Sequence, residues 1–240
     1  MRVIVTRPLD QARHTASRLI AMGHEPIILP LTEIAPLDAD LSALDTCDTL
    51  VVTSRNAIAS LASRTGLHTK PVFAVGAATA EELRRAGFTA VQSANGNAQD
   101  LADLVRESLP APARIGYPCG QIRSPTLETT LRGAGYTIVA IEVYQTHLVS
   151  YTTNTLSAVF AVAEPTAVII MSTANAERLA WLLRNHFPDQ TLDFLSFIMI
   201  SAAVARPLTQ AGFPNIAIAE HPTEADVLAA LNQHQLKLDE

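Results

Sequence analysis

The chain has 240 residues, 23 of them acidic and 17 basic, for a formal net charge of −6. That length suits one large domain or two small ones, and a hydrophobic share of 48% with 17% charged residues suits a chain with a substantial core. The acidic balance argues against general nucleic-acid binding, because no cationic surplus is available to neutralise phosphates.

Strand-like "VIV" (Val3 to Val5) comes first. Pro8 can open a helix, since a first-turn residue needs no N–H there. Ala12, Ala16, Leu19 and Ile20 follow at helical spacing, and Gly23 closes the segment. Nine further strands are expected: "PIIL" (26–29), "TLVVT" (49–53), "VFAV" (72–75), "AVQS" (90–93), "ARIGY" (113–117), "TIVAIEVY" (137–144), "AVIIM" (167–171), "FIMI" (197–200) and "IAIA" (216–219). Helical patterns separate nearly all of them. Continuous Val/Ile runs alternating with helices imply α/β architecture, with parallel sheets covered on both faces.

One unit is spelled twice. "VFAVGAATAEELRRAGFTAVQSA" (Val72 to Ala94) aligns without a gap on "FIMISAAVARPLTQAGFPNIAIA" (Phe197 to Ala219), with Gly76 replaced by Ser201 and Thr79 by Val204. A second echo joins "VVTSRNAIASL" (Val51 to Leu61) to "IIMSTANAERL" (Ile169 to Leu179). The repeats are explained if the chain leaves a first domain through "TEIAP" and returns through "EVYQTH". The expected domains are then 1–33 with 147–240, discontinuous, and an inserted 36–144, each a doubly wound parallel sheet of five strands.

Candidate binding residues follow from position. Thr53, Ser54 and Asn56 match Ser172, Thr173 and Asn175, each set at a strand end where a helix begins. Such residues cap helices, and in open parallel sheets ligands bind beyond the carboxyl ends of the strands. Two such edges facing each other would form a cleft. Gly76 would let backbone approach a ligand there and Thr79 would present a hydroxyl; in the other copy Ser201, or the backbone amides of Ser201 to Ala203, would compensate for their loss. Arg7, ending the first strand, is a candidate carboxylate partner; Arg55 is a weaker one.

Several chemistries are excluded by motif. No Gly-x-Gly-x-x-Gly follows a strand, and there is no Gly-Lys-Ser/Thr phosphate loop and no Gly-x-Ser-x-Gly elbow. The seven histidines show no ligand spacing, and His14, His68, His186 and His234 are expected at the surface. Two cysteines, Cys47 and Cys119, make neither a disulfide framework nor a zinc site. Charges or prolines break every apolar run, so no membrane span is expected. The strand-like start predicts no signal peptide, and a cytoplasmic location follows. A cofactor-free, metal-free site of polar donors remains.

The chain resembles the uroporphyrinogen-III synthase family over nearly its whole length. The motifs are "VTRPLDQA" (5–12), "PLTEIAP" (30–36), "TSRNA" (53–57), "AVGAATAEEL" (74–83), "VYQT" (143–146) and "ISAAVARPLTQAGF" (200–213), in that order. The resemblance implies two flavodoxin-like domains joined by a two-stranded connector. It also implies an enzyme that closes hydroxymethylbilane to uroporphyrinogen III with the terminal ring inverted and water lost. The expected partner is that small-molecule substrate, with the upstream bilane-forming enzyme as a possible donor; a monomer is expected, with no nucleic acid and no membrane. Arg123 matches an arginine of the family, although Tyr117-Pro118-Cys119-Gly120 replaces the usual Arg-Gly nearby. Val204 stands where the family has a site threonine. Tyr144, ending the longest strand, is the candidate catalytic proton donor, since a phenol is protonated at neutral pH. A non-catalytic, synthase-like ligand binder or regulator is the alternative reading.

Overall fold

The computed structural model describes residues 1–160, 164, 166–188 and 192–238. Contacts divide the chain into two compact units, Met1–Glu33 with His147–Glu240, and Ile34–Thr146.

The first unit carries β1 (Arg2–Val5), α1 (Leu9–Ala21) and β2 (Glu25–Ile28), then α6 (Thr153–Phe160), β9 (Thr166–Ile170) and α7 (Thr173–His186), and finally β10 (Leu195–Met199), α8 (Ala202–Gln210), β11 (Ile216–Ile218) and α9 (Glu224–Leu238). Its sheet runs β11-β10-β9-β1-β2, and all neighbouring strands pair in parallel. The strands are apolar throughout because both faces are covered. Val168 and Ile170 of β9 join Phe160, Leu179, Leu183 and Phe197 on one side, while Ala167 and Ile169 join Val3, Val5, Leu19 and Leu231 on the other. Alternate residues of a strand point to opposite faces, and each fully buried Leu, Ile or Phe contributes about 1.5–3 kcal/mol relative to exposure. Ile20, in the apolar spacing of α1, instead lies on the helix's outer face, and Thr15 takes the buried place.

The second unit carries β4 (Thr49–Val52), the short α2 (Ile58–Ala62), β5 (Val72–Ala74), α3 (Ala77–Arg85), β6 (Val91–Ser93), α4 (Ala98–Ser108), β7 (Arg114–Gly120), α5 (Thr126–Gly133) and β8 (Thr137–Leu148). With β3 (Thr32–Pro36) at its edge, the sheet runs β3-β8-β7-β4-β5-β6. Both chain crossings lie in one pair of strands. Val149 N–H donates to Leu31 O and Leu37 N–H to Val143 O, so β3 and β8 run antiparallel.

The two sheets have the same spatial order when the echoes are used as landmarks. β9, β10 and β11 occupy the places of β4, β5 and β6, and β1 and β2 those of β7 and β8. The first unit is threaded in the flavodoxin order 2-1-3-4-5; the second starts from a different strand of the same arrangement. The repeated segments are β5–α3–β6 and β10–α8–β11. Each helix ends on a glycine with positive φ, Gly87 at +101° and Gly212 at +83°, where a side chain would be strained. There Phe88 N–H donates to Leu83 O, and Phe213 N–H to Leu208 O.

Candidate active site

In the second unit hydroxyls gather near the end of β4: Thr53 follows that strand, Tyr117 lies within β7, and Tyr144 lies within β8, which runs on to Leu148 instead of ending at Tyr144. Thr53 Oγ1 and the Tyr117 hydroxyl are 3.0 Å apart. Burial pushes the Tyr117 phenol above its ordinary value, against the pull of the Thr53 hydrogen bond and of the Arg123 charge. Tyr144 is half-buried against the core of the unit and lies directly beside Gly120. β7 runs three residues beyond its expected end, through Pro118, Cys119 and Gly120. Pro118, which has no N–H to give, falls beyond the β4 ladder, which ends at Gly116.

Ser54 caps the turn after β4, accepting from Asn56 N–H at 3.2 Å; Asn56 is half-buried. Arg55 is exposed and pairs with Glu82 at 3.8 Å. Arg123 is engaged inside the unit. Its Nε donates to Glu128 at 2.8 Å and its Nη1 to Glu142 at 3.0 Å, while Arg132 pairs with Glu128 at 2.8 Å. Burial raises the Glu128 carboxyl, but the two guanidinium groups outweigh it and hold the group below its ordinary value.

The Gly76/Ser201 difference is a capping difference. Ser201 Oγ accepts from Val204 N–H at 3.4 Å, whereas Gly76 gives the α3 N-terminus no side-chain cap. Gly76 has extended backbone (φ −148°), and a Cβ there would meet nothing within 4 Å. At the Thr79/Val204 pair both side chains are buried, each 7% exposed, and Val204 belongs to the apolar core. Gly76→Ser is therefore expected to stabilise the unit by about 0.5–1 kcal/mol through a new cap and a less free unfolded chain. If the open N–H groups bind an anionic ligand, its affinity falls about tenfold as Tm rises. Unchanged affinity would show that the α3 N-terminus binds no anion.

In the first unit, Ser172 Oγ accepts from Asn175 N–H at 3.2 Å, and Ser172 and Thr173 are exposed. Asn175 is a correction: at 2% exposed it is a structural pin. Its Nδ2 donates to Thr6 O at 2.9 Å and its Oδ1 accepts from Thr32 at 3.0 Å, tying α7 to β1 and β3. Arg7 is also engaged, donating to Thr15 at 3.1 Å and Gln11 at 3.0 Å and pairing with Glu224 at 3.2 Å.

Glu224 accepts from the Thr15 hydroxyl at 2.6 Å and faces Arg18 at 3.5 Å. Burial raises its carboxyl, but the hydroxyl and the Arg7 and Arg18 charges carry it below the ordinary 4.5. A depressed carboxylate stabilises the fold above its unfolded value and loses that contribution as pH falls through its folded one. Glu224→Gln should thus cost about 1–2 kcal/mol at pH 7, and urea midpoints should converge with wild type below pH 4.5. A difference that persists undiminished at pH 3 would contradict the charge assignment.

The structure thus brings Thr53, Tyr117, Gly120, Arg123 and Tyr144 to one corner, and places Gly76 at a neighbouring strand end. Tyr117 and Gly120 were missed as partners, although "YPCG" stands at a strand end. Among the four histidines expected at the surface, only His14 is exposed; His68 packs on Phe88 at 4.7 Å, half-buried His186 lies 3.2 Å from Thr153 Oγ1, and half-buried His234 lies 2.7 Å from Ser196 Oγ. Among the described residues no group of three or more His, Cys, Asp or Glu is placed to hold a metal ion, and no helix is long and apolar enough to cross a membrane.

The fold and this corner define an α/β protein of two doubly wound units with tyrosyl and threonyl hydroxyls gathered near the end of β4. A family model described as uroporphyrinogen-III synthase HemD matches residues 13–229, and the chain belongs to that family. The uroporphyrinogen-III synthase of Saccharomyces cerevisiae is 26% identical over 152 residues, which span 52% of this chain and 55% of the yeast protein, so the match covers about half the relative's length. A uroporphyrinogen-III synthetase crystal structure from Helicobacter pylori has a TM-score of 0.70 at 19% identity, covering 98% of this chain and all of that one. A mutant uroporphyrinogen III synthase from Thermus thermophilus has a TM-score of 0.58 at 17% identity, covering 100% and 99%. At these identities the two structures support the fold.

Proposed function

We propose that this chain closes hydroxymethylbilane to uroporphyrinogen III, a cyclising lyase reaction that inverts the terminal pyrrole ring and releases water. The family match over residues 13–229 carries the reading. In this account the C–O bond of the hydroxymethyl group breaks, and hydroxide leaves as water with a proton from the Tyr144 phenol. The resulting azafulvene is attacked by the substituted carbon of the terminal ring. The spiro intermediate rearranges, the ring closes, and a pyrrole proton returns to solvent or to the phenolate.

The protein's task is to hold a flexible chain in one conformer. Its substrate carries eight carboxylates, which helix N-termini attract by about 0.3–1 kcal/mol each at exposed sites. Gly76 with the α3 amides, Ser54 and Asn56 in one unit, and Ser172, Thr173 and Ser201 in the other, are the groups we assign to them. Arg7 and Arg123 serve by holding that framework. No cofactor is required, and the working form is a cytoplasmic monomer that receives bilane from the enzyme that forms it. The alternative is a non-catalytic, synthase-like regulator. Expression in a synthase-deficient bacterial strain separates the two: restored growth without added haem supports the enzyme, and failure with abundant folded protein supports the regulator.

A further inference from the structure

β7 and β8 pair in parallel register from Arg114 opposite Thr137 to Cys119 opposite Glu142. The register then slips by one residue, so that Gly120 lies opposite Tyr144. A Cβ on Gly120 would stand 2.7 Å from Cε2 and Cζ of Tyr144 and 2.8 Å from its hydroxyl oxygen. The hydroxyl end of the ring therefore rests over the Gly120 Cα. Gly120 is not among the glycines with positive φ, so backbone geometry does not demand glycine here; the ring does.

The backbone of this slot is held from both strands. Arg123 Nη1 donates to Gly120 O at 3.1 Å, to Gln121 O at 3.4 Å and to Glu142 Oε1 at 3.0 Å. Gln121 N–H donates to Tyr144 O at 3.0 Å. Bulges re-aim side chains at such places. We infer that Gly120 is a positioning residue for the Tyr144 phenol, and that Arg123 serves the reaction by fixing the Gly120 slot. This rests on the reading of Tyr144 as proton donor.

The test compares Gly120→Ala, Tyr144→Phe and the double variant, with Gly133→Ala as a control in a helix where a Cβ meets nothing. In the wild-type background Gly120→Ala should lower kcat about tenfold or more, with KM changed less than about threefold. In the Tyr144→Phe background it should change kcat less than about twofold, because the pair acts as one unit. Equal losses in both backgrounds, or none in either, would overturn the inference. Incorporated 3-fluorotyrosine supplies a readout independent of turnover. The resonance lost in Tyr144→Phe should shift in Gly120→Ala while the other tyrosine resonances stay, and an unmoved resonance overturns the positioning role. Wild-type turnover in Tyr144→Phe together with a shifted resonance would sink the proton-donor reading and leave the slot standing. If Gly120→Ala lowers Tm, adding Tyr144→Leu should recover most of the loss; no recovery would count against the ring as the constraint.

Discussion

Tyr144→Phe is expected to lower kcat about 10- to 100-fold, with KM little changed and uroporphyrinogen III still the enzymatic product. The substitution keeps the aromatic packing and removes only the hydroxyl over Gly120. Positioned general acids commonly contribute about 10²–10⁴-fold. The bilane also loses water unaided, which places this case at the low end. Steady-state assays on freshly generated bilane, with thermal melts alongside, check the expectation. Wild-type turnover would show that positioning of the chain, without proton donation from Tyr144, is the source of catalysis.

The largest stability effect is expected at Asn175. Asn175→Ala removes the donor to Thr6 O and the acceptor from Thr32, leaving both groups buried without these partners. Each unsatisfied buried group costs about 1–3 kcal/mol, so the variant should lose about 2–4 kcal/mol, or about 5–15 °C in Tm. Asn175→Asp should be similarly damaging, since a carboxylate cannot donate to the Thr6 carbonyl. Ser172→Ala, which removes only an exposed cap, should cost about 1 kcal/mol. Denaturant titrations that rank Ser172→Ala as the more harmful change would contradict the structural reading of Asn175.

That reading of Asn175 was available from spacing. Asn175, Leu179 and Leu183 fall four apart and share the buried stripe of α7, and Val204 and Leu208 share that of α8 in the same way. The strands were legible because both sheet faces are covered, which makes each run continuously apolar. The extension of β7 was not, because Pro118 reads as a strand breaker and its tolerance depends on where the β4 ladder stops. The pairing of Arg7 with Glu224 has no local signal in the sequence, since tertiary folding alone brings α9 to α1. Gly120 with Tyr144 depends on a register slip that no local pattern announces.

The most direct measurement incubates the purified chain with hydroxymethylbilane generated in place and separates the isomers after oxidation. Isomer III is expected as the main product at catalytic protein concentrations, in preparations stripped of metal and small molecules. Isomer I alone, at the rate seen without protein, would contradict it.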